Sequence, residues 1–526
     1  MKVLVSDNLS DVGVRIFEET PSIDVDVNTG LTPEELKGII DQYDALVIRS
    51  ATKVTADIIE AADNLKVIGR AGIGLDNVDI PAASKRGIVV MNTPEGNTIT
   101  TAEHTMALIM ALSRNIPQAT ASLKGGKWEK KKLQGRELYN KTLGLIGAGH
   151  IGRIVADRAR GLKMKVVVYD PYIKPEAIEK LDLEPVSFQE LLERADYITV
   201  HTPKTEETSN LIDRDAIAGM KKGAYVINCA RGGIVNEDAV YDALASGHLG
   251  GAAFDVFTTE PPGKMKLMEL DRFICTPHLG ASTREAQDNV ARDVAEQIVA
   301  YLLHGSVKNA VNVPSISQEL MSTLRPYVTL VERMGALQAQ LVESAVVELQ
   351  VNYSGSVVDY DVEPLTTAAL KGLLTPILTD DVNFVNARVI ANDRGIKVVE
   401  SKSSTSEDFG SLVNMRVKTL EGENIVSGTI FGKTLPRILR INDFYLEAIP
   451  EGHNLFIQND DSPGVIGKIG STLGTFGVNI SRMQVGEQKK KKQNVIFLAT
   501  STVAGDEVLE ALRELEHVYR VRRIEL

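Results

Sequence analysis

Short apolar runs alternate regularly with amphipathic helical segments from residue 2 to about residue 305. The runs are "KVLVSD", "ALVIRS", "LKVIGRAG", "TLGLIGAGHIG", "KVVVYD", "DYITVHTP", "AYVINCARG", "GGAAFDVF" and "FICTPHLG". Strands separated by helices of roughly 10 to 15 residues are typical of βαβ units, because parallel strands need a crossover between them. The pattern therefore predicts an α/β fold with two Rossmann-like parallel-sheet domains.

The order of the runs also predicts domain limits. A helix from Arg284 to His304 carries apolar residues at helical spacing, so we expect it to return the chain to the first domain. After "NAVNVPSIS" the pattern changes to a mixed α+β region, and the last 75 residues read strand, helix, strand, strand, helix, strand, which is a ferredoxin-like unit. The predicted domains are 1–97 with 284–315, 98–283, 316–451 and 452–526.

Composition excludes several classes of protein. The chain has 526 residues and a formal charge of -12, which disfavours a nucleic-acid or anionic-membrane partner. Its two cysteines, Cys229 and Cys275, show no ligand spacing, so we expect neither disulfides nor a metal site, and a cytoplasmic setting. No apolar stretch approaches the roughly 18 residues of a membrane span, and no signal-peptide pattern opens the chain.

A dinucleotide site is predicted where "TLGLI" ends. Gly147, Gly149 and Gly152 form a GxGxxG motif between that strand and the helix "RIVADRARGL". Such glycines allow a tight turn and bring a pyrophosphate close to the helix N-terminus. Asp170 ends the next strand, where a carboxylate accepts hydrogen bonds from a ribose 2′-hydroxyl and repels a 2′-phosphate. The motif therefore predicts NAD rather than NADP.

Three polar residues follow later strands of the same predicted sheet. Arg231 follows "YVINCA", Glu260 follows "FDVFTT", and His278 follows "ICTP". Ligands of open α/β sheets bind beyond the carboxyl ends of the strands, so we expect these three side chains near the nucleotide. A strand-end histidine, an arginine or an EPP turn is common without any function, but the three together favour catalysis.

Four motifs in order carry a resemblance. The segments "GLIGAGHIGR", "CARGGIVNEDAV", "AFDVFTTEPP" and "TPHLGASTREAQ" resemble those of the D-2-hydroxyacid dehydrogenases. The segment "GRAGIGLDNVDIPAASKRGIVVMNTPEGNTITTAEHT" and the C-terminal ferredoxin-like unit are similar to long-chain members of that family. Those members use NAD to oxidise 3-phosphoglycerate to 3-phosphooxypyruvate, the first step of L-serine biosynthesis. The resemblance covers essentially the whole chain.

The resemblance implies roles for individual residues. His278 takes the hydroxyl proton as hydride leaves C2, Glu260 orients the imidazole, and Arg231 holds the substrate carboxylate or C2 oxygen. The implied NAD contacts are Gly147, Gly149, His150, Ile151, Gly152, Asp170, Thr202, Cys229, Ala230, Arg231, Asp255, His278, Gly280 and Ala281. The implied substrate contacts are Arg49, Ser50, Gly72, Ile73, Gly74 and Lys130.

The last unit is similar to an ACT domain, a small-ligand sensor that usually pairs with a second copy. The resemblance implies Asn459, Asp461 and Asn479 as contacts for an amino-acid effector, with L-serine as the expected inhibitor. It also implies a homo-oligomer, expected to be a tetramer. The domain before it resembles one that binds substrate or anions allosterically in long-chain relatives.

Two other functions stay open at this point. The same fold serves dehydrogenases of unphosphorylated hydroxy acids, and related proteins act mainly as NAD-sensing transcriptional corepressors. The sensor domain and Arg49 favour a phosphorylated substrate. A turnover assay that compares 3-phosphoglycerate with glycerate separates the three functions.

Overall fold

The computed structural model of the chain describes residues 1–313, 318–378, 381–405, 409–488 and 492–526. The predicted boundary between residues 315 and 316 lies outside these ranges. Within them, no helix is both long and apolar enough to cross a lipid bilayer.

The first sheet has five parallel strands in the order β2-β1-β3-β4-β5. Its elements are β1 (Lys2–Val5), α1 (Asp11–Glu18), β2 (Asp24–Val27), α2 (Pro33–Lys37), β3 (Ala45–Ile48), α3 (Ala56–Glu60), β4 (Val67–Arg70), α4 (Ile80–Lys85) and β5 (Val89–Asn92). The central strands are continuous apolar runs because helices cover both faces of the sheet.

The second sheet has seven parallel strands in the order β12-β11-β10-β9-β6-β7-β8. Its elements are α5 (Thr98–Ser113), α6 (Ile116–Lys124), β6 (Thr142–Ile146), α7 (His150–Gly161), β7 (Lys165–Tyr169), α8 (Pro175–Glu179), β8 (Glu184–Pro185), α9 (Phe188–Arg194), β9 (Tyr197–Val200), α10 (Arg214–Ala218), β10 (Ala224–Asn228), α11 (Glu237–Ala245), β11 (Leu249–Phe254) and β12 (Phe273–Cys275). The strand order reverses between β6 and β9, which is where ligands bind in such sheets.

One long helix returns the chain to the first sheet, as predicted. This helix, α12 (Arg284–His304), begins at the N-cap Thr283, whose hydroxyl accepts a hydrogen bond from the amide of Ala286. Val294 and Ile298 pack so closely on β4 that a Cβ added to Gly69 would lie 2.6 Å from each of them. The apolar stripe of α12 therefore completes the core of the first sheet.

The C-terminal half forms one ten-stranded sheet, in the order β14-β13-β15-β16-β17-β18-β20-β21-β19-β22. Its first part contains α13 (Gln318–Leu341), β13 (Val346–Gly355), α14 (Glu363–Leu374), α15 (Ala387–Asp393), β14 (Lys397–Ser403), β15 (Ser411–Thr419), β16 (Glu423–Phe431), β17 (Leu435–Ile441) and β18 (Phe444–Ala448). Its second part contains β19 (His453–Asp460), α16 (Val465–Thr475), β20 (Ile480–Gln488), β21 (Gln493–Thr500), α17 (Asp506–Arg513) and β22 (Val518–Glu525), the predicted βαββαβ unit. The two parts join where Tyr445 of β18 pairs with Glu487 of β20.

Candidate active site

A cleft between the carboxyl edges of the first two sheets collects the predicted polar residues. Arg49 follows β3 and Arg231 follows β10, on opposite sides of the cleft. Arg231 Nε donates to the Asp76 carboxylate across it at 3.1 Å. A Cβ added to Gly74 would lie 2.1 Å from Arg231 Nη2, so this glycine allows the guanidinium to approach the first domain.

His278 and Glu260 form a hydrogen-bonded pair at the same edge. His278 Nδ1 lies 2.7 Å from Glu260 Oε2, and both side chains are partly exposed. The other carboxylate oxygen, Oε1, accepts from the Phe257 amide at 3.0 Å, which fixes its direction. Because an ionised carboxylate can only accept, Nδ1 carries the proton and Nε2 of the neutral ring is a proton acceptor. The pair is built for a general base.

The Asp255 carboxylate anchors the loop that carries His278. It accepts hydrogen bonds from the Thr276 hydroxyl and from the amides of Leu279 and Gly280, at 2.6 to 2.8 Å. Burial alone raises the pKa of Asp255, but the hydrogen bonds from His104, Thr276 and Leu279 outweigh it and hold that pKa below its usual value. Asp255 is 1% exposed, and because its pKa is lowered it holds the loop as a buried anion.

Arg70 is a cleft residue that the sequence reasoning missed. It ends β4, and its Nε is buried without a hydrogen-bond partner among the described residues. Burial and, to a smaller extent, the nearby Arg231 guanidinium together lower the pKa of Arg70 to about 10, although Asp76 opposes the shift. A crowded, under-paired guanidinium is suited to an anionic ligand. Its position after the run "LKVIG" was the available signal.

The nucleotide turn has the shape that the glycine motif requires. Gly147 has φ 93°, and a Cβ there would lie 2.6 Å from the carbonyl oxygen of His201. A Cβ on Gly152 would lie 2.1 Å from the carbonyl oxygen of Gly147, so helix and turn are in contact. No described side chain caps the start of α7, which leaves its first amides for an anion.

The turn and its surroundings fit NAD. Apart from Gly149 itself and its two neighbours in the chain, no described atom lies within 4 Å of a Cβ placed on Gly149, so the backbone there borders open space. The two oxygens of Asp170 accept from the amides of Ala148 and Tyr172 at 2.8 and 2.9 Å, which aims the carboxylate beside the turn. Thr202 Oγ1 is buried and lacks a partner within the described chain. A buried hydroxyl without a hydrogen-bond partner, beside the open side of the glycine turn, indicates space for a polar ligand.

The remaining predicted NAD contacts lie at neighbouring strand ends. They are His150 and Ile151 at the start of α7, Cys229 and Ala230 after β10, and Gly280 and Ala281 after His278. Burial raises the pKa of Cys229 to about 12, so this thiol is a packing group and not a nucleophile.

The other predicted substrate residues have differing surroundings. The Gly72 amide donates to the Arg70 carbonyl at 2.9 Å. The Ile73 carbonyl accepts from Asn92. Ser50 is exposed beside Arg49, whereas Lys130 is exposed in the turn after α6.

The three predicted effector residues do not meet within one chain. Asp461 accepts from Asn494 Nδ2 at 3.0 Å, and buried Asn459 pairs in register with Asn494. Asn479 Nδ2 instead donates to the Ser501 hydroxyl at 3.0 Å. Asn494 and Ser501 lie at opposite ends of β21, roughly 20 Å apart at the rise of an extended strand. Any site that uses all three residues needs a second chain.

Family models match three regions of the chain. Residues 106–280 match the D-isomer specific 2-hydroxyacid dehydrogenase NAD binding domain. Residues 323–442 match the D-3-phosphoglycerate dehydrogenase intervening domain, and residues 453–517 match the ACT domain.

Curated relatives align over nearly the whole chain. D-3-phosphoglycerate dehydrogenase of Methanocaldococcus jannaschii is 44% identical over 527 residues, which covers 100% of both chains. The enzymes of the same name from Synechocystis sp. and Bacillus subtilis are 44% and 40% identical, over 98% and 100% of this chain and 93% and 99% of their own.

Solved structures match the first part of the chain. NAD-dependent formate dehydrogenase from Staphylococcus aureus in complex with NAD superposes with a TM-score of 0.53 at 31% identity, over 60% of this chain and 100% of that one. D-lactate dehydrogenase from Aquifex aeolicus, complexed with NAD and lactic acid, gives the same TM-score at 28% identity, again over 60% and 100%.

Proposed function

The chain belongs to the D-3-phosphoglycerate dehydrogenases of the D-2-hydroxyacid dehydrogenase family, and we propose that it oxidises 3-phospho-D-glycerate to 3-phosphooxypyruvate. Its cofactor is NAD. The observation that carries the proposal is the His278–Glu260 pair, which lies at the sheet edge that also bears the nucleotide turn and Arg231.

The oxidation removes a proton from the C2 hydroxyl and a hydride from C2. Bound NAD supplies the hydride acceptor. His278 Nε2 takes the hydroxyl proton as the C2–H bond breaks and the carbonyl forms, since Nδ1–H is already engaged with Glu260. Glu260 then stabilises the resulting imidazolium, as a carboxylate does when it orients a catalytic histidine. In reduction, the same imidazolium returns its proton.

Three arginines match the charge of a phosphorylated hydroxy acid. Arg231 is placed to hold the carboxylate or the C2 oxygen, with its planar fork. Arg49 and Arg70, at the ends of adjacent strands β3 and β4, remain for the phosphate. A substrate whose only anionic group is one carboxylate would leave Arg49 and Arg70 without an anionic partner. The three arginines therefore favour 3-phosphoglycerate over glycerate or lactate.

We also propose that L-serine inhibits the enzyme. The proposed assembly is a homo-oligomer, specifically a tetramer. The support is the ACT domain and the separation of Asn479 from Asn459 and Asp461, because a site that includes all three must take Asn479 from a second copy of the chain. Such an arrangement makes effector binding depend on assembly. The oxidised product leads towards L-serine, so inhibition by serine is end-product control.

Steady-state NADH formation tests the proposal. With NAD saturating, we expect kcat/KM for 3-phosphoglycerate to exceed that for D-glycerate by about 100-fold or more, since charge-assisted hydrogen bonds contribute about 1.5 to 3 kcal/mol each. Arg49→Gln should lose most of this preference while glycerate turnover stays near its original rate. Equal use of both substrates contradicts the phosphorylated substrate, and NAD binding without any turnover indicates a sensor instead. The same assay with added serine tests inhibition separately.

A further inference from the structure

A histidine outside the predicted set contacts the anchor of the His278 loop. His104 lies in α5, and its side chain is 18% exposed. Its Nε2 is 3.0 Å from the Thr276 hydroxyl and 3.2 Å from Asp255 Oδ1.

The hydrogen-bond directions follow from the carboxylate. Ionised Asp255 only accepts, so the Thr276 hydroxyl donates its proton to Oδ1 over their 2.6 Å contact. The Thr276 oxygen can then only accept from His104. Nε2 of His104 therefore carries a proton, which faces both Thr276 and Asp255.

Asp255 holds the backbone of His278 and of the two residues that follow it. Its carboxylate accepts hydrogen bonds from the amides of Leu279 and Gly280, and its backbone carbonyl oxygen accepts one from the His278 amide at 2.9 Å. His278 has φ 55°, a conformation that non-glycine residues adopt rarely and keep only when the surroundings enforce it. The direction of the imidazole thus depends on the anchor.

Helix α5 contacts this loop at two further points. The Thr101 hydroxyl lies 3.1 Å from the Gly280 carbonyl oxygen and 3.0 Å from that of Asn97, and it can donate to either; the hydroxyls of Thr100 and Thr283 are 3.3 Å apart. Helix α5 is the first element after the chain leaves the first sheet, and the loop leads into α12, which returns to it. These contacts therefore connect the segment that leaves the first sheet, α5, with the loop that leads into the helix that returns to it, α12.

We infer that His104 is a positioning residue for the oxidation, acting through Asp255 and Thr276 on the direction of His278. The inference rests on the proposed function, because it takes His278 as the base. His104 itself does not reach the reacting atoms; it supplies the donor that keeps the Asp255 carboxylate and the loop amides in one arrangement.

The test compares two substitutions of His104 with a matched histidine. His104→Leu removes the donor, and His104→Gln restores an N–H near the position of Nε2. The control is His248→Leu, since His248 is also partly buried and its Nε2 lies 2.8 Å from the backbone carbonyl oxygen of Ile217 in helix α10. Each variant is assayed for kcat, KM, NAD affinity and hydrogen exchange of the 276–283 peptide without ligands.

His104→Leu should lower kcat by about 10- to 100-fold, the usual result of a misplaced catalytic group, with KM and NAD affinity within about threefold. The 276–283 peptide should exchange faster, and His104→Gln should recover most of both losses. His248→Leu should leave kcat and this peptide unchanged.

An unchanged kcat in His104→Leu, a loss that His104→Gln does not recover, or unaltered exchange of the peptide would each overturn the inference. Failure of the proposed function looks different. In that case the unmodified protein itself uses 3-phosphoglycerate and glycerate equally or does not turn over, whatever the His104 variants do.

Discussion

We propose that cofactor choice depends on one carboxylate, that of Asp170. It points beside the nucleotide turn because the amides of Ala148 and Tyr172 hold its two oxygens. In Asp170→Asn the negative charge that repels a 2′-phosphate is gone, and the ribose loses a charged acceptor. We expect the ratio of kcat/KM for NAD to that for NADP to fall by about 10-fold or more, the equivalent of one charged hydrogen bond.

Steady-state kinetics with both cofactors measure this ratio. Asp157→Asn is the matched control, since Asp157 is an exposed aspartate of α7 paired with Arg158. An unchanged ratio in Asp170→Asn would show that another group selects the cofactor.

Residues at strand ends could be predicted, whereas residues that act through a tertiary contact could not. Arg231, Glu260 and His278 each follow a readable apolar run, and a parallel sheet brings such positions to one edge. Arg70 also follows a run, but only its burial beside Arg231 distinguishes it. His104 lies within a helix, 172 residues from Thr276 along the chain, and no local pattern indicates that contact.

At the level of elements, the turn from β6 to α7 uses its glycines for different purposes. A Cβ on Gly152 would meet the Gly147 carbonyl at 2.1 Å, whereas one on Gly149 would project into open space. Gly152→Ala should therefore destabilise the fold by about 1 to 3 kcal/mol, the cost of overpacking against backbone. Gly149→Ala should fold normally and lose NAD affinity, because its methyl group occupies the cradle.

Thermal unfolding and NAD titration of the two variants give the comparison. Equal losses of melting temperature would mean that the turn does not pack as described. Normal NAD affinity in Gly149→Ala would place the pyrophosphate elsewhere.

The elements themselves followed from periodicity. Helix α12 has the predicted limits of Arg284 and His304, and the C-terminal unit has the predicted order of strands and helices. The joining of two regions into one ten-stranded sheet was not foreseen. It depends on the pairing of Tyr445 with Glu487, between edge strands whose sequences specify no partner.

For the whole molecule, the candidate site exists only because two sheets face each other. Arg49 and Arg70 belong to the first sheet, and His278 and Glu260 to the second. The chain crosses between them twice, before α5 and before α12, and the Arg231–Asp76 contact spans the cleft. Sequence patterns predicted each edge separately, but distances across the cleft come from packing. The same holds for the effector residues, because Asp461 and Asn479 of one chain contact residues near opposite ends of β21.

The central claim is that His278, paired with Glu260, is the base that takes the C2 hydroxyl proton as hydride leaves the substrate. The most direct measurement is the rate of NADH formation from 3-phosphoglycerate by His278→Ala, with NAD affinity measured on the same preparation. We predict that the rate falls by about 100- to 10,000-fold, the range for loss of a general base, while the NAD dissociation constant changes by less than about threefold. A variant that retains its turnover within about tenfold would contradict the account.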